Sequence, residues 1–270
     1  MNLSEYDDVR RTKVMIYGPP KSGKTAMVGS LAAQGFKLWW FDFENGVKTL
    51  MNPEMLAPEF RKNVSLFNIP DHRAMPIAID VLRKLFKGGA HKFCYSHGVA
   101  NCPICAKTTG AKWSEQIDLS LFGDKDVLVL DSWSQVASSA LNKVTLKAWQ
   151  GDPEYKCTFN DFGMQGMYLT EVLSKIQVAN INICVISHEV DVEKDESKER
   201  IVPVGGTRNF SATIAKYFDE VIYAYVRNKK HAAASSTSWD NIHLTGGRSG
   251  VRMEDPTKPA QLADIFRPRN

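Results

Sequence analysis

The residues Gly18-Pro19-Pro20-Lys21-Ser22-Gly23-Lys24-Thr25 are the densest chemical feature of the sequence and fit the pattern G-x-x-x-x-G-K-[ST]. They stand between Lys13 to Tyr17, an apolar run that reads as a buried strand, and Lys24 to Gln34, which reads as a helix ended by Gly35. Glycine lets the backbone curl until successive N–H groups converge on phosphate oxygens, and the following helix turns its positive end toward them. The Lys24 ammonium suits the β- and γ-phosphates, and the Thr25 hydroxyl can ligate Mg²⁺. The spacing therefore points to a bound nucleoside triphosphate.

A metal-bound triphosphate needs a second acidic anchor. Asp131 ends the apolar run Val127 to Leu130, the place for a carboxylate at the carboxyl end of a parallel strand. Hydrolysis also needs a group to orient water, and the residue after Asp131 is Ser132 rather than a second acid. Asp42-Phe43-Glu44 offers the alternative: alternation puts Asp42 and Glu44 on one side of their strand, with Glu44 at its exit. A later run ends at Ser187-His188-Glu189, where a polar side chain can meet the γ-phosphate. The candidate catalytic set is Lys24, Glu44, Asp131 and His188, with Gly18 to Thr25 and Asp131 as the nucleotide site.

A different chemistry is written in Cys94-Tyr95-Ser96-His97 and Cys102-Pro103-Ile104-Cys105. Two chelating pairs of two-residue spacing suit tetrahedral Zn²⁺, since each pair turns back on one ion. The expected ligands are Cys94, His97, Cys102 and Cys105, with His91 as an alternative to His97. Cys157 and Cys184 stand apart, and Cys184 lies inside an apolar run. Five cysteines in a chain without an apolar leader do not suggest a disulfide framework.

The elements that must position these groups alternate. Apolar runs at Leu38 to Phe43, Val64 to Ile69, Asp126 to Leu130, Asn182 to Ser187 and Glu220 to Val226 read as further strands. Helical spacing covers Arg73 to Phe86, Ser134 to Trp149 and Phe162 to Val178. This pattern predicts an α/β fold with a mostly parallel sheet covered by helices on both faces. Residues 88–118 and 190–206 read as insertions or functional loops, and Ala232 to Ser238 as a small-residue linker. Trp39, Trp40 and Phe41 are expected to pack the sheet. Trp149, Tyr155 and Phe159 flank a loop, where packing and base stacking both remain open.

With 270 residues, 43% apolar and 24% charged, the chain is neither a disordered tract nor a fibrous repeat. No apolar run is long enough to span a bilayer, and Met1 to Thr12 is polar, so a cytoplasmic location is expected. The net charge of +4 is unevenly placed, since residues 227–270 hold eight basic and four acidic residues. The expected organisation is a core over 1–226, containing a zinc-binding insertion at 88–118, and a basic segment over 227–270.

The loop Gly18 to Thr25, Asp42-Phe43-Glu44, Val127 to Ser132 and Ile186 to Glu189, in that order, resemble the RecA-like ATPases. The likeness is strongest to the small RecA-core ATPases of phages associated with single-strand annealing and recombination, and it covers about residues 13–226. It implies a RecA-like P-loop NTPase fold, ATP and Mg²⁺ as ligands, and Glu44 as the catalytic carboxylate. It further implies a γ-phosphate sensor at Ser187 or His188 and a DNA-contacting loop at about Val190 to Gly206. That loop carries Asp191, Glu193, Asp195, Glu196 and Glu199 against Lys194, Lys198 and Arg200, a poor track for phosphates. The resemblance also implies a homo-oligomer whose neighbouring subunits lend basic residues, a role open to Arg227, Lys229 and Lys230. Single-stranded DNA and a single-strand-binding protein are the partners it suggests, with no membrane. A nucleotide-switched interaction protein and a helicase or packaging motor are the alternatives that share the same loop.

Overall fold

In the first strand, Val14 and Ile16 point to one face and Met15 and Tyr17 to the other, and all four are fully buried. Such two-sided burial requires cover on both faces. The computed structural model describes residues 11–193, 199–237, 240–254 and 261–266. Its strands are β1 (Lys13–Tyr17), β2 (Lys37–Asp42), β3 (Val64–Asn68), β4 (Asp126–Asp131) and β5 (Asn182–Ser187). They continue with β6 (Glu189–Glu193), β7 (Glu199–Pro203), β8 (Glu220–Arg227), β9 (Lys230–Ala234) and β10 (Gly246–Gly247). The helices are α1 (Lys24–Ala33), α2 (Ala78–Leu85), α3 (Pro103–Ala106), α4 (Trp133–Gly151), α5 (Phe159–Val178), α6 (Arg208–Ser211) and α7 (Leu262–Phe266).

The main sheet has the order β10-β8-β1-β5-β4-β2-β3, with β9 also paired to β8. From β8 to β3 every pairing is parallel, while β9 and β10 run antiparallel to β8. One face packs on α2, α4 and α5 through residues such as Leu82, Trp133, Val136, Leu169 and Leu173. The other packs on α1 and α7 through Val28, Leu31, Leu262 and Phe266. The parallel order brings the carboxyl ends of β1, β5, β4 and β2 side by side. Tyr17 is in register with Ser187, and Asp42 with Asp131. Every candidate catalytic residue therefore falls at one edge of the sheet, where ligands of open α/β sheets bind.

Several boundaries differ from the sequence reading, each for a physical reason. The helix expected over Arg73 to Phe86 is formed only at α2. Pro76 disfavours helix in the residue before it, and Asp71 caps the later start by accepting from the N–H groups of Ile77 and Ala78 at 2.6 and 2.7 Å. α5 starts earlier than expected because Thr158 and Asp161 form a reciprocal capping box. The segment 190–206, read as a loop, instead holds the β6–β7 hairpin, a separate two-stranded sheet in which Val192 and Val202 are buried. Residues 194–198 lie outside the described residues.

The small-residue run from Ala232 is likewise not a linker: Ala232 to Ala234 belong to β9, and Ala233 and Ala234 are buried. The boundary at 226/227 falls within the β8–β9 hairpin, and α7 packs on α1, so residues beyond 226 complete the same core. Residues 88–118 hold isolated bridges and one short helix, and Phe93 packs them against Phe67 of β3. Trp40 and Phe41 are buried and Trp39 stacks on Phe67 and Phe122, as packing required. Trp149 lies under the Arg73 guanidinium, the Tyr155 hydroxyl donates to Asp161, and Phe159 is exposed. Among the described residues no helix is long and apolar enough to cross a membrane.

Candidate nucleotide-binding site

The loop Gly18 to Thr25 joins β1 to α1 directly, and its turn depends on glycine. Gly18 has φ +148°, and a Cβ there would lie 2.1 Å from the Ala224 carbonyl oxygen of β8. Gly18→Ala is therefore expected to lower stability by about 1–3 kcal/mol, read as a lower urea midpoint at unchanged m value. An unshifted midpoint would show that the loop can move away from β8.

Lys24 is buried and donates to the carbonyl oxygens of Gly18 and Pro19 at 2.8 and 2.7 Å. Burial holds its pKa below the ordinary lysine value, against the carboxylates of Asp131, Glu189 and Glu44, which raise it. Three acids thus face one ammonium. The Thr25 hydroxyl donates to Asp131 Oδ2 at 3.2 Å. Burial, and then the charges of Asp42 and Glu44, push the Asp131 carboxyl up to about 7. A buried carboxylate raised by its acidic neighbours is a place short of positive charge, and the Thr25 and Asp131 oxygens are the hard donors a divalent cation such as Mg²⁺ takes.

The two acids of Asp42-Phe43-Glu44 separate in role. Asp42 turns back to accept from the N–H groups of Glu44, Gly46 and Val47 at 3.0–3.2 Å, which holds the turn after β2. Glu44 faces the site. Ser132 donates to Glu44 Oε1 at 2.5 Å, and His188 Nε2 lies 3.2 Å from Glu44 Oε2. Burial raises the Glu44 pKa, but the hydrogen bonds from His188 and Ser132 outweigh it and hold the carboxyl below its usual value. Ser132 also accepts from Gln135 N–H as the N-cap of α4, so the start of that helix positions Glu44. The Asp131–Ser132 peptide bond is cis.

Of the two sensor candidates, only His188 turns toward Glu44. Ser187 is fully buried, and its hydroxyl is engaged with the carbonyls of His188 and Val204 and with Ser134 Oγ. Ser134 also accepts from His188 N–H at 2.8 Å and so fixes the backbone beneath the imidazole. Ser132, Ser134, Glu189 and His231 are site neighbours to which the sequence reading assigned no role. The N-cap position of Ser132 before a helical run was the available signal. His231 carried none: β9 brings it over the loop, where Nδ1 donates to the Ser22 carbonyl at 3.0 Å and the ring covers Gly23.

The basic residues after β8 form the tip of the β8–β9 hairpin. Asn228 and Lys229 take positive φ of 51° and 62°, as a two-residue turn that follows the twist of its strands requires. Arg227 pairs with Lys230, and Arg227, Lys229 and Lys230 are all exposed. Arg248 is tied to Asp219, while Lys258, Arg267 and Arg269 lie outside the described residues. Away from this site, Cys94, His97, Cys102 and Cys105 are brought together with their ligand atoms within 4.8 Å of one another. His91 is not among them; it is buried beside Phe93.

A glycine loop feeding a helix from the first strand of a parallel sheet, with an acid at the end of β4 facing it, defines a P-loop nucleoside triphosphatase. The family model described as "AAA domain" matches residues 10–251, and the chain belongs to that family. It is accordingly an ATPase. No curated protein matches it.

Proposed function

We propose that this ATPase requires Mg²⁺ and acts in the cytoplasm, as a homo-oligomer, on single-stranded DNA in recombination or annealing of the RecA type. The observation that carries the catalytic part is Glu44, held by Ser132 and His188 at the sheet edge that also carries Lys24 and Asp131. In this reading Lys24 leaves the carbonyls of Gly18 and Pro19 for the β- and γ-phosphates of ATP. Thr25 and Asp131 hold the metal ion, which supplies charge neutralisation on the phosphates when bound. Glu44 stays ionised at neutral pH and orients the attacking water, and Ser132 and His188 keep it aimed.

His188 is then a positioning residue. His188→Ala is expected to lower kcat about tenfold, the worth of one hydrogen bond to a charged group, with KM and nucleotide affinity unchanged. An unchanged kcat would remove His188 from this role.

Support for a nucleic-acid partner comes from the hairpin tip. Arg227, Lys229 and Lys230 are exposed, and the next residue, His231, touches the phosphate loop. The test is single-stranded DNA binding across a salt series. Each phosphate contact contributes a slope of about −0.7 in log K against log salt. Replacing all three residues by alanine is therefore expected to make the slope shallower by about 2. An identical slope would place DNA elsewhere or nowhere.

One observation favours a second reading, a nucleotide-switched ATPase with a protein partner. The acidic β6–β7 hairpin begins at Glu189, directly after His188, so the group beside Glu44 leads into an arm unsuited to phosphates. No DNA binding even at low salt would favour it.

A further inference from the structure

We infer that Cys94, His97, Cys102 and Cys105 bind one Zn²⁺ ion, and that this ion is the core around which the outer part of the 88–118 insertion folds. The inference is independent of the nucleotide site.

His97 Nδ1 lies 3.8 Å from Cys94 Sγ, 3.7 Å from Cys102 Sγ and 3.3 Å from Cys105 Sγ. A tetrahedral ion with Zn–S near 2.3 Å and Zn–N near 2.0–2.1 Å separates sulfur from nitrogen by about 3.6 Å. Three such separations from one ring nitrogen leave room for an ion between the four ligand atoms. The donor set of three thiolates and one imidazole suits zinc and does not suit Mg²⁺ or Ca²⁺, which take oxygen.

The backbone is built to converge these atoms. Gly98 N–H donates to the Cys94 carbonyl at 2.9 Å, and Cys94 N–H to the Val99 carbonyl at 3.2 Å. The turn between them closes at Gly98, whose φ is +64°. A Cβ there would also lie 2.7 Å from Pro70. Cys102 precedes the single turn of α3, in which Ala106 N–H donates back to the Cys102 carbonyl at 2.9 Å and Cys105 is carried round to the same point.

Packing supplies the reason an ion is needed. The base of the insertion is anchored by hydrocarbon: Phe93 packs edge-on against Phe41 and Phe67. Beyond Phe93 the buried cluster consists of the three cysteines alone, with only Val99, Ala111 and Trp113 partly buried against it. So small an apolar set cannot stabilise about twenty residues of turns and bridges by burial, and a structural zinc site supplies that free energy. Four protein ligands leave no open position, so the ion is structural and takes no part in hydrolysis.

The test is metal analysis of the full-length chain purified without chelator, and again after reconstitution with Zn²⁺. About one equivalent is expected, falling below ~0.1 in the Cys102→Ser/Cys105→Ser variant and staying near one in Cys157→Ser. If the double variant does not fold, the wild-type chain decides the matter. Co²⁺ substitution should give the thiolate-to-metal absorption of a tetrahedral site, and a mercurial should release one equivalent of Zn²⁺. Less than ~0.2 equivalents after reconstitution, with Cys94, Cys102 and Cys105 freely reactive toward a thiol reagent, would overturn the inference.

Discussion

Glu44→Gln is expected to bind ATP as the wild type does and to hydrolyse it about 10²–10⁴-fold more slowly. The amide keeps the size and can still accept from Ser132 at the carboxylate position that lies 2.5 Å away. What it loses is the negative charge that makes Glu44 a proton acceptor. That charge is maintained in the native site: the hydrogen bonds from His188 and Ser132 hold the pKa down despite burial. Asp42 cannot replace it, because its oxygens are committed to the N–H groups of Glu44, Gly46 and Val47. Asp131 is also unsuited, because its carboxylate accepts from Thr25 at the place proposed for the cation. The measurement is single-turnover hydrolysis beside equilibrium nucleotide binding. Unchanged turnover would remove Glu44 from the mechanism.

Lys24→Ala is expected to act earlier, on binding itself. The ammonium is the buried cation of the loop, and its loss removes one counter-charge from phosphates that face Asp131, Glu189 and Glu44. A fall of about 10²–10³ in kcat/KM is expected, the cost of removing one preorganised donor to transition-state charge. Nucleotide affinity should fall with it. The substitution also strips a partner from the carbonyls of Gly18 and Pro19, so loss of fold must be told apart from loss of binding. Thermal unfolding separates them: ATP should raise the wild-type Tm and leave that of a folded variant unmoved. A variant that ATP still stabilises fully would show that backbone N–H groups alone hold the phosphates.

Legibility in the sequence followed the range of the interactions. The loop Gly18 to Thr25 could be read because each residue type answers to one local demand, and β1, β4 and β5 because two-sided burial leaves continuous apolar runs. Asp131 followed from its place at the end of such a run. The Cys/His cluster could be read because chelation imposes its own spacing, although the choice of His97 over His91 depended on a turn closed by Gly98. The β6–β7 hairpin was hidden by its charge: Glu189, Asp191, Glu199 and Arg200 interrupt its apolar residues, so no apolar run marks it. β9 was hidden by small size, since Ala232 to Ala234 pack against β8 without the bulk that signals a strand. His231 reaches the site only through the pairing of β9 with β8, which no local pattern encodes. The separation of Asp42 from Glu44 likewise rests on where β2 ends, one residue earlier than its apolar run.

In the proposed function, the Lys24, Asp131 and Glu44 constellation hydrolyses ATP in response to single-stranded DNA. The most direct measurement is the steady-state ATP turnover of the purified chain with Mg²⁺, with and without single-stranded DNA, at low and high salt. The expected result is turnover that rises with DNA, an increase that fades steeply as salt is raised, and turnover in Glu44→Gln that stays about 10²–10⁴-fold below the wild type under every condition. Turnover identical with and without DNA at low salt, with no DNA bound, would contradict it.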